Sequence, residues 1–413
     1  MNAFSAAELA ARNSYGRLIA YLAVRTRDVA AAEDALGDAF LQALKTWPTN
    51  GVPAKPEAWL LTTAQRKLID SARRKSIHTK SLNLLNLTGV ESVTPWDEMT
   101  SFPDERLKLL FVCAHPAIDS RLHTPLMLQT VLGFNAAQIG SAFLVAPATM
   151  GQRLVRVKAK IRDAGIPFEI PSDQALEMRS QAVLSAIYVA YNADWSTVAG
   201  IENAGHASLT SEAIWLAKLC RQLMSKDPEV LGLLALMLYC ESRRNARHTS
   251  AGQYIPLSEQ DTALWSKSLI AESEQALTQA ATFKSIGRFQ LEAAIQSIHA
   301  QRIHAKATDL KTTDWDSLLK LYEGLVEIAP SVEAQVGYAA AIAQSKGPSP
   351  ALAYLETITS TGLQTYQPYW AVKADLLQQL GRLDSAQQAY QRAIGLSEDP
   401  AVRTFLIEKS TCD

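Results

Sequence analysis

Five cations fall within ten residues at Arg153, Arg156, Lys158, Lys160 and Arg162, and no acid intervenes before Asp163. That density neutralises several phosphates at once and makes affinity for a polyanion steeply salt-dependent. Thr149 and Gln152 precede them, and Gln and Arg are side chains that can read base edges with paired hydrogen bonds. A second cluster runs from Gln65-Arg66-Lys67 to Arg73-Arg74-Lys75, with six Lys/Arg between residues 60 and 80 and only Asp70 opposing them. Trp59 lies just upstream. An aromatic beside cations is the combination that stacks unpaired bases while tracking their phosphates. A third stretch, residues 32–44, has the opposite sign: Asp34 and Asp38 are one helical turn apart, with Phe40 and Leu41 beside them. Such a face suits an arginine-rich partner helix. Each cluster also has an ordinary reading: a solvated basic face, a core tryptophan on a basic helix, a solvated acidic edge.

Covalent chemistry finds no comparable footing. There is no glycine-rich phosphate loop, HExxH or GxSxG. His299 and His304 are five residues apart, about 500° of helical rotation, too far round to ligate one metal from a shared face. The four cysteines, Cys113, Cys220, Cys240 and Cys412, form no CxxC pair. The expectation is a protein that is not an enzyme, with no catalytic residue, no metal and no cofactor.

The elements that must hold these side chains read as helical throughout, and alternating strand patterns are absent. The expected fold class is all-α. Ala137, Ile139, Gly140, Ala142 and Phe143 give a short helix with a small packing face, Leu144-Val145-Ala146 a tight corner, and Pro147 a preset first helical position. Met150, Leu154, Val157 and Ile161 then line one side of the next helix, leaving Thr149, Gln152, Arg153, Arg156 and Lys158 on its polar sides. This is the pattern of a helix-turn-helix. Trp47 to Pro53 reads as a loop closing a first helical pair, residues 76–103 as a polar connector, and Ile166-Pro167 to Pro171-Ser172 as the next stop. Leu231, Leu234, Leu238 and Trp265 read as core of a middle section. Trp370, Ala374, Leu377, Gly381, Ala386, Tyr390 and Ala393 carry tetratricopeptide spacing, with Gly347 one repeat earlier and Trp315, Leu318, Tyr322 and Leu325 two repeats back.

The 413 residues exceed one ordinary core, and 48% apolar against 20% charged composition excludes a disordered chain. No run is long and apolar enough to span a bilayer, so the reading is a cytoplasmic protein without a membrane partner. Residues 1–170 hold 20 Lys/Arg against 15 Asp/Glu, and residues 171–413 hold 20 against 26. A polyanionic partner is therefore expected for the first part alone.

The order of these pieces resembles an extracytoplasmic-function (ECF) sigma factor of the sigma-70 family. AEDALGDAFLQAL resembles region 2.2, AWLLTTAQRKLIDSARR regions 2.3 and 2.4, and LGFNAAQIGSAFLVAPATMGQRLVRVKAKIR region 4.2. DERLKLLFVCAHPAI and the helical tail are similar to a subgroup with a large C-terminal extension ending in tetratricopeptide-like repeats. The resemblance implies sigma region 2 over 1–80, a linker over 81–103, region 4 over 104–168, a helical middle domain over 172–285 and repeats over 286–413. It implies a bacterial RNA polymerase core and promoter DNA as partners, with a regulatory protein at the repeats. By the same resemblance Asp34, Asp38 and Leu41 face polymerase. Trp59, Gln65, Arg66, Lys67, Arg73 and Arg74 meet the −10 element, while Thr149, Gln152, Arg153, Arg156 and Lys158 meet the −35 element. The chain departs from the family at Gln65-Arg66, Ala146 and Gly151-Gln152. The alternative is a helical scaffold whose sigma-like module no longer binds polymerase.

Overall fold

The computed structural model describes residues 3–78, 104–143, 145–195, 209–304, 314–359, 362–397 and 399–411. Among them the fold is all-α, with eighteen α-helices and no strand; extended backbone pairs only in an isolated bridge between His248 and Tyr254. The chain divides into two compact units, Met1–Ala190 and Tyr191–Asp413.

The first unit starts with α1 (Ala3–Thr26), α2 (Val29–Asn50) and α3 (Pro56–His78). The α1–α2 corner is made by Arg27 in the left-handed region (φ 53°) and by Asp28, whose carboxylate accepts from Ala31 N at 3.1 Å. A side-chain oxygen there satisfies one of the backbone donors that a helix start leaves open. In α2 the buried residues Val29, Ala32, Ala35, Leu36, Ala39, Ala43 and Trp47 recur every three to four positions. That stripe packs on α1 and α3, where Leu18, Ile19, Leu22, Leu60, Leu61 and Ala64 are fully buried. Each buried Leu, Ile or Val contributes about 1.5–3 kcal/mol. The loop expected from Trp47 begins later. The helix runs through Pro48 to Asn50 and ends at Gly51, whose φ is 84° and whose N–H bonds Trp47 O at 3.0 Å. Pro48 falls in the last turn, where its missing N–H costs a single bond, while buried Trp47 holds that turn against the core.

There follow α4 (Arg106–Cys113), α5 (His123–Thr130), α6 (Ala136–Ala142), α7 (Pro147–Asp163) and α8 (Asp173–Trp195). The division between units falls inside α8. Its earlier residues are tied to α4 and α5: Arg179 is buried and donates to Phe111 O at 2.6 Å, and Thr124 donates to Ala186 O at 2.9 Å. The 172 boundary read from the sequence would cut through this packing.

In the second unit α9 (Leu209–Leu223), α11 (Lys267–Ala281) and α12 (Arg288–Ala300) surround α10 (Pro228–Ser242). Burial of Leu231, Leu233, Leu234, Leu236, Leu238 and Tyr239 leaves α10 apolar on all sides, as a central helix must be. A Cβ at Gly232 would meet Gln290 N at 2.6 Å, so glycine sets the close approach of α10 to α12. From the first turn of α10, Glu229 accepts from Phe289 N and Gln290 N, at 2.9 and 3.0 Å, and so caps α12. The expected core residues Leu231, Leu234, Leu238 and Trp265 are all buried. Beyond them run α13 (Trp315–Ile328), α14 (Val332–Lys346), α15 (Pro348–Leu355), α16 (Gln367–Gln379), α17 (Leu383–Leu396) and α18 (Pro400–Thr411), each packed on the next. Gly347 and Gly381 both take positive φ, 92° and 70°, at helix ends. Ala374, Leu377, Ala386, Tyr390 and Ala393 are buried where α16 meets α17.

Candidate nucleic-acid interface

The turn that presents α7 is built locally. Asn135 accepts from Ala137 N and Gln138 N at 3.0 and 2.9 Å, while Gln138 Oε1 accepts from Asn135 N at 2.9 Å. This reciprocal cap starts α6. A Cβ on Gly140 would lie 2.5 Å from Val145 O, so glycine allows the tight return toward Pro147. Ala146, at the N-cap of α7, gives no side-chain cap, and Pro147 opens the helix. Met150, Leu154, Val157 and Ile161 are buried as expected. Opposite them Thr149, Gln152, Arg153 and Arg156 are exposed at i, i+3, i+4 and i+7. Among the described residues Arg153 and Arg156 enter no ion pair or hydrogen bond. Their positive charge is thus uncommitted. Val155, 64% exposed beside them, is an apolar group that no spacing argument singled out.

On α2, Asp34, Asp38 and Leu41 share one exposed face at i, i+4 and i+7, and Leu41 is 57% exposed. A leucine left this open lies beside two exposed carboxylates. Arg66, Lys67 and Arg73 are exposed on α3 and Gln65 is half-buried, while the Arg74 side chain lies outside the described residues. Lys67 Nζ lies 3.5 Å from Asp38 Oδ2, which links two faces that the sequence reading kept apart. Both side chains are about half exposed, so the pair is worth about 0–1 kcal/mol and gives way readily to a competing charge. Trp59 is half-buried, edge-on to Trp47 with centroids 5.5 Å apart.

Comparison with known proteins gives these surfaces a context. Residues 12–77 match the family model for sigma-70 region 2, and residues 179–281 match a family of unknown function (DUF6596). No solved structure matches the chain. Over 401 residues, 95% of this chain and 91% of its relative, the sequence is 35% identical to "Uncharacterized protein R00370" of Rhizobium meliloti (strain 1021). The chain belongs to that protein's family. The sigma-70 region 2 domain at its N-terminus supports a sigma-70 family factor and suggests a sigma-factor-like role in transcription initiation.

Against region 2 the structure corrects one site residue. Lys158, expected on the −35 face, is buried at 6% exposure, and its ammonium pairs with the Glu33 carboxylate on α2. Position 158 is i+4 from Leu154 and one step from Val157, so it sits on the shoulder of the apolar stripe and is drawn inward with it. Two more α7 cations are also committed. Lys160 donates to Ala117 O, and Arg162 contacts Asp163 Oδ1 at 2.8 Å and Asp28 Oδ2 at 3.9 Å. The basic run therefore splits: Arg153 and Arg156 are open and uncommitted among the described residues, Lys158 is buried, and Lys160 and Arg162 stay exposed while bonded to groups of the same unit. Glu33 is the partner that sequence reasoning missed, 125 residues away with no local signal. Burial pushes its carboxyl up, and Lys158 pulls it back only in part. Glu33 Oε1 finds no hydrogen-bond partner among the described residues.

Proposed function

We propose that this protein is an ECF-type sigma factor, which binds core RNA polymerase and directs it to promoters without catalysing a reaction itself. The observation that carries the reading is a region 2 match over residues 12–77 in the same compact unit as an uncommitted polar face on a short-turned helix pair. Residues 104–168 act as region 4, with Thr149, Gln152, Arg153 and Arg156 in the −35 major groove. Arg or Gln paired to a base edge there discriminates by about 1–3 kcal/mol. Trp59, Gln65, Arg66, Lys67, Arg73 and Arg74 border the −10 element, and Asp34, Asp38 and Leu41 engage polymerase. The extension ends in tetratricopeptide-like hairpins and regulates or stabilises the complex. Buried small residues at 374, 386 and 393, with paired positive-φ glycines at 347 and 381, support that part. The factor works where polymerase and promoter DNA are, in the cytoplasm.

Run-off transcription with reconstituted polymerase over a genomic template library tests this. The expected result is promoter-specific product only when the chain is added, lost on Asp34→Lys with Asp38→Lys and on Arg153→Ala with Arg156→Ala. Absence of any promoter-dependent product refutes the proposal.

A further inference from the structure

In the second unit, α16 and α17 flank a half-open groove of about 620 Å³. Trp370, Lys373 and Leu377 line it from α16 at i, i+3 and i+7, and Arg382, Gln388 and Arg392 line it from the start and outer face of α17. Three cations thus meet one acid, Glu356, inside a half of the chain where acids outnumber bases 26 to 20. Composition works against this local excess. The floor is fixed in place: Trp370 Nε1 donates to Gln364 O at 3.2 Å, and the Arg392 guanidinium lies 5.8 Å from the Trp370 ring centroid. Lys373 pairs with Glu356 at 3.2 Å, whereas the Arg382 side chain has no partner among the described residues.

We propose that this groove binds an acidic, aliphatic-bearing peptide segment of a partner protein in extended conformation. The two arginines are ten residues apart on one helical course, about 15 Å along the axis. An extended chain covers that span in about four to five residues. The fitting segment therefore carries two carboxylates four residues apart, on one face of the extended chain, one for Arg382 and one for Arg392. The aliphatic side chain midway between them, on the same face, lies on Trp370 and Leu377. Gln388 and the half-exposed Glu356 carboxylate accept and donate to the peptide backbone as their chemistry allows: Glu356 takes N–H groups, and the Gln388 amide takes either partner. A nucleic-acid backbone fits less well, because its phosphates recur at every nucleotide and one of them must face Glu356, whereas the peptide carries only two carboxylates, both placed at the arginines. The proposal does not depend on the sigma-factor reading and fails or stands separately from it.

The probe is a fluorescein-labelled peptide of about ten residues with two glutamates four apart, leucine midway between them and alanine beside it, followed by anisotropy against the full chain. Controls are the same peptide with glutamine at both positions and a single-stranded oligothymidine of similar length. Saturable binding by the acidic peptide is expected. It should weaken about tenfold on Arg382→Glu or Arg392→Glu and again as salt rises from about 0.05 to about 0.3 M. Both arginines are exposed, so circular dichroism of the variants should match the parent; Arg382→Gln serves as a milder change with the same direction of effect. No binding at about 1 mM peptide, equal binding of the glutamine peptide, or insensitivity to both arginine reversals overturns the proposal. Tighter binding of the oligothymidine than of the peptide, lost on the same reversals, replaces it with a phosphate-binding groove.

Discussion

Replacing Lys158 by methionine keeps most of the unbranched apolar stem and removes the ammonium, which strands the Glu33 carboxylate between α2 and α7. The two side chains are only 8% and 16% exposed, so solvent does little to rescue the acid. Breaking a buried pair in this way costs about 3–5 kcal/mol. Glu33 has an escape, because it can take up a proton. From its ordinary value of 4.5, protonation at pH 7 costs about 3 kcal/mol, which caps the penalty. The sign follows from the direction of the shift. A carboxyl raised in the folded state favours folding below its unfolded pKa and loses that contribution as pH climbs through the folded one. The defect of Lys158→Met should therefore be large at pH 7 and shrink below about 1 kcal/mol near pH 5. Hydrogen exchange of the α7 amides in the full chain, corrected for intrinsic rates, reads this directly. At pH 7 exchange of residues 147–163 should quicken roughly a hundredfold, and at pH 5 no more than about fivefold. Lys158→Met combined with Glu33→Leu should restore protection, since well-packed apolar groups replace such pairs at little cost. Unchanged α7 protection in the single variant at pH 7, or a double variant as loose as the single, would refute the reasoning.

Three other outcomes can be checked. Gly151→Ala should stabilise α7 by about 0.5–1 kcal/mol in denaturant melts, because the added Cβ meets only Ala136 Cβ at 3.6 Å, an ordinary contact. His299 is held down to about 4 by burial, with Arg243 and Arg302 adding repulsion. Its contribution is present above its ordinary 6.5 and disappears as pH falls toward 4, so the second unit should lose up to about 3 kcal/mol over that window. His299→Leu should flatten that slope in urea titrations; His248 in the same unit, also lowered, adds the same sign and remains. Truncation after residue 171 removes Arg179 from Phe111 O and the buried Val183, Leu184 and Ile187. That fragment should aggregate or melt well below one ending near residue 195, as light scattering during heating would show.

The sequence made local structure legible where a single helix decides it. The Met150–Leu154–Val157–Ile161 stripe, the proline start of α7 and the uncapped Ala146 are all as expected. The exposed quartet follows from the same register. What periodicity could not supply was partnership between distant helices. Within its own helix Lys158 has the pattern of one more solvated cation, whereas its position is decided by a carboxylate contributed from α2. The division of α8 was hidden for a like reason, since prolines at 167 and 171 mark where a helix stops and not where a core ends. At Pro48 local chemistry pointed to a loop, and the burial of Trp47 overrode it.

The edge-on indoles of Trp47 and Trp59 have a use beyond packing. Two such chromophores, 5.5 Å apart at a tilt of 67°, should couple their strong far-ultraviolet transitions into a circular dichroism couplet that depends on both staying put. Were Trp59 to swing onto an unpaired base, the couplet would collapse while Trp47 stayed buried. The protein would then report strand capture optically, with no dye attached.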